Sequence, residues 1–262
     1  MSSAPPRSFA RYVALGDSST EGLDDPDLLI PGAYRGWSQR LAERLHATTS
    51  PGLHYANLAI RGLTTAQIRA TQLDSALALR PDLATVFCGT NDVTAPRFDA
   101  ARVATDIAFM QRALVASGAT VLTFTLPDLT PLMPLARLIA PRIAALNRDL
   151  ADASRSTGTI LVDFAAHPVA TDLRLWSEDR IHANSAGHAR IADALAHALN
   201  LPNTTAAWSD PFPTPLPRTF ATRTRAEFRW ITRHLLPWLA QSLLNRSSSQ
   251  GRRPKRPNLT PV

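Results

Sequence analysis

The sequence predicts a three-layer, doubly wound α/β sandwich with a five-stranded parallel sheet at its centre. Two patterns in the 262 residues lead to this fold class. Short apolar runs alternate with longer segments of helical periodicity up to about residue 200, which is typical of parallel sheets with right-handed crossovers. The short runs are apolar at consecutive positions, as expected when helices cover both faces of a sheet.

The five predicted strands are short runs of apolar and β-branched residues, a composition that favours buried strands. In chain order they are 12–15, 53–58, 83–88, 120–124 and 159–163. The residues that follow such strands lie at the carboxyl edge of the sheet, where α/β proteins bind their ligands. Ser18 and Asn91 each follow a strand. The fold class therefore places both residues at the same edge.

The connecting segments carry helix signals. A helix is predicted over 101–116, and Gly118 is a suitable C′ residue for it. Between 141 and 158, apolar residues recur at intervals of three and four, which indicates a second helix. A last helix is predicted to begin with Ser185 as its cap and to run to about residue 199. These helices supply the outer layers of the sandwich.

The composition of the chain changes after residue 200. Ten basic and two acidic residues follow that point, a net charge of +8, so the first 200 residues carry about −1 of the total of +7. We predict a main domain over 1–200 and a connector over 201–245, which is rich in proline and contains an amphipathic helix at roughly 223–244. The apolar face of that helix is formed by Phe228, Ile231, Leu235 and Trp238.

The amphipathic helix is expected to pack on the main domain, and the alternative is that it lies on a membrane surface. Residues 246–262 are predicted to be a disordered basic tail, because their charges have no acidic neighbours. Such a tail could contact anionic membrane surfaces weakly.

Composition also excludes several classes of protein. A hydrophobic content of 45% and a charged content of 19% are those of a globular chain. The single cysteine, Cys88, rules out a disulfide framework and a cysteine-based zinc site, and we interpret it as a buried apolar residue. No apolar run reaches 18 residues and the first residues do not resemble a signal peptide, so we expect a cytoplasmic protein. No specific nucleic-acid partner is indicated.

The main candidate site combines a serine and a histidine from distant parts of the chain. Gly16-Asp17-Ser18 follows the first strand, and Asp179-Arg180-Ile181-His182 precedes the last helix. A serine hydroxyl needs a base to take its proton, and a histidine base needs a carboxylate that fixes its tautomer. Asp179, three residues before His182, is placed to supply it. His188 is the closest rival as the base, but it falls inside the predicted last helix.

Four blocks in fixed order resemble the SGNH, or GDSL-type, serine hydrolases. They are Leu15-Gly16-Asp17-Ser18-Ser19-Thr20-Glu21-Gly22, Asn57 to Thr65, Gly89-Thr90-Asn91-Asp92, and Asp179 to His182 followed by Ser185 to His188. One departure is Ser19, where leucine is common in the family. The resemblance implies that Ser18 is the nucleophile, His182 the base and Asp179 its partner. It also implies an oxyanion hole formed by the N–H groups of Ser18 and Gly62 and the side-chain amide of Asn91.

The resemblance implies an esterase that hydrolyses carboxylic acyl or acetyl esters through an acyl-enzyme, without a metal or organic cofactor. Its substrate would be a small-molecule, lipid or sugar ester, with specificity set by loops 24–35 and 126–140. Two alternatives remain open: an acyltransferase that uses the same acyl-enzyme, and a non-catalytic binding module. Asp17 and Asp92 are expected to bind loop backbone, since a metal site of these residues with His182 lacks tight ligand spacing.

Overall fold

A computed structural model describes residues 7–214, 220–237, 249 and 251–262 of the chain. Its centre is a six-stranded sheet in the order β5-β4-β3-β1-β2-β6. The strands are β1 (Arg11–Gly16), β2 (His54–Asn57), β3 (Leu83–Phe87), β4 (Thr120–Phe124), β5 (Ile160–Val162) and β6 (Arg256–Pro261). The first five strands run parallel, which confirms the predicted α/β class and five-stranded parallel core.

Helices cover the sheet in two layers. Those described are α1 (Ser18–Glu21), α2 (Gly36–Thr48), α3 (Thr65–Ala78), α4 (Thr90–Thr94), α5 (Ala100–Ala116), α6 (Ala140–Thr157), α7 (Ser185–Ala198) and α8 (Phe220–Trp230). Helix α2 packs against α7, whereas α5 packs against α3 and α6. The strands between these layers are almost fully buried, which explains why their sequences lack alternation. In the described part of the chain, no helix has the length and apolar character needed to span a bilayer.

The topology fixes the position of the candidate site. Strand β1 is central and lies between β3 and β2. The order of strands reverses at β1, and the crevice at such a switch point is where doubly wound sheets bind ligands. Ser18 begins α1 directly after β1, and Asn91 lies in α4 directly after β3. Both residues are therefore at the carboxyl edge, as predicted.

The prediction of a disordered tail over 246–262 is wrong for the segment that forms β6. This strand pairs antiparallel with β2, and Tyr55 lies opposite Thr260. Lys255 Nζ donates to the carbonyl oxygen of Arg35 at 2.7 Å, and the Arg256 guanidinium lies 5.3 Å from the centre of the Tyr55 ring. The open edge of β2 offers unpaired backbone groups, and pairing them outweighs the charge repulsion that suggested disorder.

Two helix details differ from the predictions. The cap of α7 is Asn184 rather than Ser185, because the Asn184 side chain accepts hydrogen bonds from the backbone of Ala186 and Gly187. The amphipathic helix consists of α8 and a π-helical turn over Ile231–Leu235.

The predicted apolar face of that helix is only partly correct. Phe228 is 68% exposed and Ile231 38% exposed, whereas Leu235 packs on the core and Trp230 is 7% exposed. Trp238 lies outside the described residues. Trp230 is the anchor because its ring and its N–H both find partners on the main domain.

Candidate active site

The turn that carries Ser18 depends on a close approach between β1 and its neighbours. A Cβ on Gly16 would lie 2.2 Å from Thr20 Oγ1 and 2.4 Å from the carbonyl oxygen of Phe87, so only glycine fits. Asp17 then caps α1, since its side chain accepts from the Ser19 N–H at 3.2 Å. Ser18 is the first residue of α1 and is half-buried.

The structure joins three of the predicted residues in one chain of hydrogen bonds. His182 Nε2 lies 2.9 Å from Ser18 Oγ, although 164 positions separate these residues in the sequence. His182 Nδ1 lies 2.6 Å from Asp179 Oδ2. A hydroxyl, an imidazole and a carboxylate in this order can move a proton away from the serine.

Asp179 is held as an anion by its surroundings. Its Oδ1 accepts from Ser177 Oγ at 2.6 Å and from the backbone N–H groups of Ile181 and His182 at 2.8 and 3.0 Å. Burial alone would raise the pKa of Asp179, but the hydrogen bonds and charge of His182 hold it well below its usual value. Burial likewise opposes the charged form of His182, yet Asp179 raises the pKa of the imidazole above its usual value.

Asn91 connects the two turns that carry the other predicted oxyanion donors. Its Nδ2 donates to the carbonyl oxygen of Leu63 at 3.0 Å, next to Gly62, and to Asp17 Oδ2 at 3.2 Å, next to Ser18. Asn91 thus bridges the residues adjacent to Ser18 and Gly62. Both amide hydrogens of Asn91 are donated to protein oxygens. Asn91 can therefore donate to a substrate oxyanion only if one of these hydrogens is shared between the oxyanion and its present acceptor. The longer bond, to Asp17, is the weaker of the two.

The turn of Gly62 is held by a residue that the sequence reasoning did not single out. The Arg61 N–H donates to Glu21 Oε2 at 3.0 Å, and the Arg61 guanidinium forms an ion pair with the same carboxylate. Gly62 has a φ of +80°, a conformation that favours glycine. In the part of the chain that the structure describes, its N–H donates to no protein group. Glu21 belongs to the first sequence block, but its contact with Arg61 is evident only from the fold.

The family model for the GDSL-like lipase/acylhydrolase family matches residues 14–190. The chain belongs to this family. The match spans the four blocks and all five predicted site residues.

Solved structures of similar fold agree with this family. TesA is 25% identical, with a TM-score of 0.58 over 72% of this chain and 97% of TesA. The esterase EstA from Pseudoalteromonas sp. is 18% identical, with a TM-score of 0.57 over 72% of this chain and 96% of its own. Axe2, an acetylxylan esterase from Geobacillus stearothermophilus, is 18% identical, with a TM-score of 0.60 over 75% of this chain and 97% of Axe2. No curated protein sequence matches this chain significantly.

Other polar residues of this GDSL-like chain have structural partners. Asp92 accepts from the N–H and the hydroxyl of Thr65, both at 2.9 Å, so Asp92 and Asp17 bind loop groups as predicted. Burial raises the pKa of Asp17 to about 7. Cys88 is buried, and burial raises the pKa of its thiol far above the usual value, so the thiol stays protonated.

His188, the rival base, is a structural residue of the GDSL-like fold. It is fully buried; its Nδ1 accepts from the Trp37 N–H at 3.1 Å, and its Nε2 lies 3.0 Å from the carbonyl oxygen of Leu23. Burial lowers the pKa of His188 to about 4, so the ring is neutral. Its two nitrogens connect α2 and the loop after α1.

Asp24 is a second residue that the sequence reasoning missed. Side-chain atoms of Asp24, Asp179 and His182 lie within 4.8 Å of one another. The metal set weighed from the sequence, Asp17 and Asp92 with His182, does not form such a cluster among the described residues. Within this group, Asp179 and His182 share a short hydrogen bond of 2.6 Å. Asp24 adds a negative charge that raises the pKa of His182.

The backbone holds Asp24 in this position. Asp24 has a φ of +66°, a conformation that side-chain-bearing residues rarely adopt. Its neighbours are fixed on both sides: Leu23 through His188, and Asp25 through Arg40 at 2.7 Å and the Gly36 N–H at 3.0 Å. Strain at one residue between two anchored neighbours is common at functional sites.

Proposed function

We propose that the chain is a serine esterase that hydrolyses carboxylic esters through an acyl-enzyme on Ser18. The observation that carries this proposal is the continuous hydrogen-bond path from Asp179 through His182 to Ser18, in a member of the GDSL-like lipase/acylhydrolase family. Likeness to a named esterase and an acetylxylan esterase supports ester bonds as the target.

In the first half of the reaction, Ser18 Oγ attacks the carbonyl carbon of the ester while His182 Nε2 takes the hydroxyl proton. Negative charge then develops on the carbonyl oxygen. The N–H groups of Ser18 and Gly62 and the amide of Asn91 are proposed to stabilise that charge, and the loss of one such donor costs roughly 2.7–4 kcal/mol in comparable sites.

In the second half, the protonated imidazole gives its proton to the oxygen of the leaving alcohol, and the C–O bond of the substrate breaks. Water then attacks the acyl-enzyme with His182 as its base, which releases the acid and restores Ser18. Asp179 stays ionised throughout, because its pKa lies far below the working pH. It fixes the ring and stabilises the imidazolium.

We propose that loop 126–140 contacts the acyl part of the substrate. Its side chains Leu126, Leu129, Leu132 and Met133 are buried, whereas Leu135 and Leu138 are 51% and 72% exposed. A loop with apolar side chains on both its inner and outer sides suits an acyl chain better than a charged group.

The proposal is tested with p-nitrophenyl esters of increasing chain length and acetylated sugars, beside labelling by a fluorophosphonate probe. We expect hydrolysis of at least one ester and covalent labelling of the wild type, both abolished in Ser18→Ala. Thr20→Ser, at a buried position two residues further along α1 that leaves the nucleophile intact, is the control. Labelling that persists in Ser18→Ala, or its absence from a folded wild type, would refute the proposal.

A further inference from the structure

Helix α8 lies beyond the family match, yet it touches the loop that carries His182. The match ends at residue 190, whereas α8 covers Phe220–Trp230. Trp230 Nε1 donates to the carbonyl oxygen of Asp179 at 3.1 Å. The indole is 7% exposed, so this hydrogen bond is formed away from solvent. The main chain of the triad carboxylate is thus attached to an element outside the matched domain.

A second contact with α8 is made by Arg180, the residue between Asp179 and Ile181. Its side chain is 10% exposed and its backbone has a φ of +63°. Nη1 and Nη2 donate to the two carboxylate oxygens of Glu227 at 2.9 and 2.7 Å, and the guanidinium lies 4.7 Å from the centre of the Trp230 ring. A guanidinium held by two parallel bonds has a fixed orientation.

Arg180 also reaches the loop that we expect to contact the substrate. Its Nη1 donates to the carbonyl oxygen of Leu132 at 3.0 Å. One buried guanidinium therefore joins the catalytic loop, loop 126–140 and α8. A buried charge that loses its partner is strongly unfavourable. Without Glu227, the Arg180 guanidinium would therefore have to move toward solvent or toward another acceptor.

We propose that α8 is a clamp that keeps His182 aligned with Ser18, with Glu227 and Trp230 as positioning residues. Neither residue reaches the Ser18 hydroxyl or the His182 ring in its described contacts. They act by fixing the two residues that precede Ile181 and His182. Misplacement of a reacting group by about 1 Å can cost on the order of 10²-fold in rate. The kinetic consequence rests on the proposed esterase function.

The kinetic test compares Glu227→Gln and Trp230→Phe with the wild type. The first variant removes the charge that binds Arg180, and the second removes the N–H that binds Asp179. Arg229→Gln, at an exposed position of the same helix, is the matched control. With p-nitrophenyl acetate we expect kcat to fall about 10- to 100-fold in each variant with KM within about twofold, and the control to stay within about twofold in both.

A second readout does not need an ester substrate. Hydrogen exchange of the amides of residues 179–182 and an NMR titration of the His182 ring report the position of the loop directly. We expect faster exchange and a lower His182 pKa in both variants, and no change in Arg229→Gln. An inactive wild type would refute the esterase function. The exchange and titration measurements would still show whether α8 fixes the loop that carries His182.

Unchanged kcat, exchange and imidazole titration in both variants would overturn the clamp. Should Glu227→Gln fail to fold, Trp230→Phe decides alone, because it keeps the ion pair and a ring over Arg180. A loss of activity with unchanged loop exchange in Trp230→Phe would also contradict the proposal, since the clamp acts through the loop.

Discussion

Three carboxyl groups act on the pKa of the His182 imidazole, and one of them, Asp17, has a pKa of about 7 and is only partly charged near neutral pH. Burial lowers its pKa, whereas the hydrogen bond and charge of Asp179, and the charges of Asp24 and Asp17, raise it to a value above the usual one. Only the neutral ring can take the proton of Ser18. Esterase activity is therefore expected to rise with pH through this raised pKa and to be lost at lower pH, where the ring is protonated.

The charge of Asp24 should be visible in that pH profile. In Asp24→Asn one contribution that favours the protonated ring is removed, so the midpoint of the rise in kcat/KM is expected to move to lower pH. The profile is measured with p-nitrophenyl acetate beside Asp152→Asn, a loss of an exposed carboxylate on α6. A midpoint that does not move in Asp24→Asn would show that its charge does not act on His182.

At the residue scale, sequence motifs predicted the three residues that the structure joins by hydrogen bonds, but not the residues that surround them. Ser18, Asp179 and His182 sit in short blocks whose chemistry is evident from residue type and order. Asp24 could not be found in this way, because its approach to His182 depends on an αL turn that Arg40 and His188 hold from two other helices. Contacts across long sequence separations leave no local pattern.

At the scale of single elements, β6 shows most clearly what the sequence did not predict. Its backbone completes the edge of β2, and Leu259 and Val262 pack on the core. Buried strand edges remove unpaired backbone groups that would otherwise bind other chains. The strand was missed because six residues with two prolines and an arginine carry almost no strand signal, and its partner lies far away in the sequence.

Leu259→Ala tests whether β6 contributes to stability. Full burial of a leucine side chain is worth roughly 1.5–3 kcal/mol, so a half-buried one should contribute about 1 kcal/mol to the free energy of unfolding. Asn258→Ala, at the exposed neighbouring position, is expected to change it by less than about 0.5 kcal/mol. Denaturant titration measures both. Equal stabilities of the two variants would contradict a packed strand.

Helical periodicity predicted α5, α6 and α7 within a few residues, since one face of each packs on the sheet. Helical periodicity predicted less well which face of α8 is buried. The pattern treated Phe228 and Ile231 as buried, whereas the structure buries Trp230. A helix that rests on a loop rather than on a sheet is fixed by a few specific partners, here Asp179 and Arg180, and these do not repeat every turn.

At the scale of the whole molecule, charge is divided unequally along the chain. Residues after 200 carry +8 and those before about −1. Arg252 and Arg253 are exposed to solvent, and Lys255 and Arg256, a few residues further on, contact the main domain. We expect weak, salt-sensitive association with vesicles that contain anionic lipid, since each basic residue near such a surface contributes about 1 kcal/mol.

A paired substitution tests this expectation without removing β6. Changing Arg252 and Arg253 together to glutamine should weaken binding to phosphatidylserine vesicles roughly 10- to 30-fold. The control changes Arg112 and Arg148, two exposed arginines of the main domain, in the same way. Vesicle sedimentation at low and high salt measures the difference. Equal binding of both double variants would exclude a specific role for these two arginines.

The pairing of Tyr55 with Thr260 also matters while the protein is being made. Translation proceeds at about 5–20 residues per second, so β2 leaves the ribosome about 10–40 s before the strand that covers its edge. During that interval Ser18 and His182 can already come together, while the edge of β2 keeps backbone groups that are not yet paired. The need for chaperones should therefore last until β6 has been synthesised.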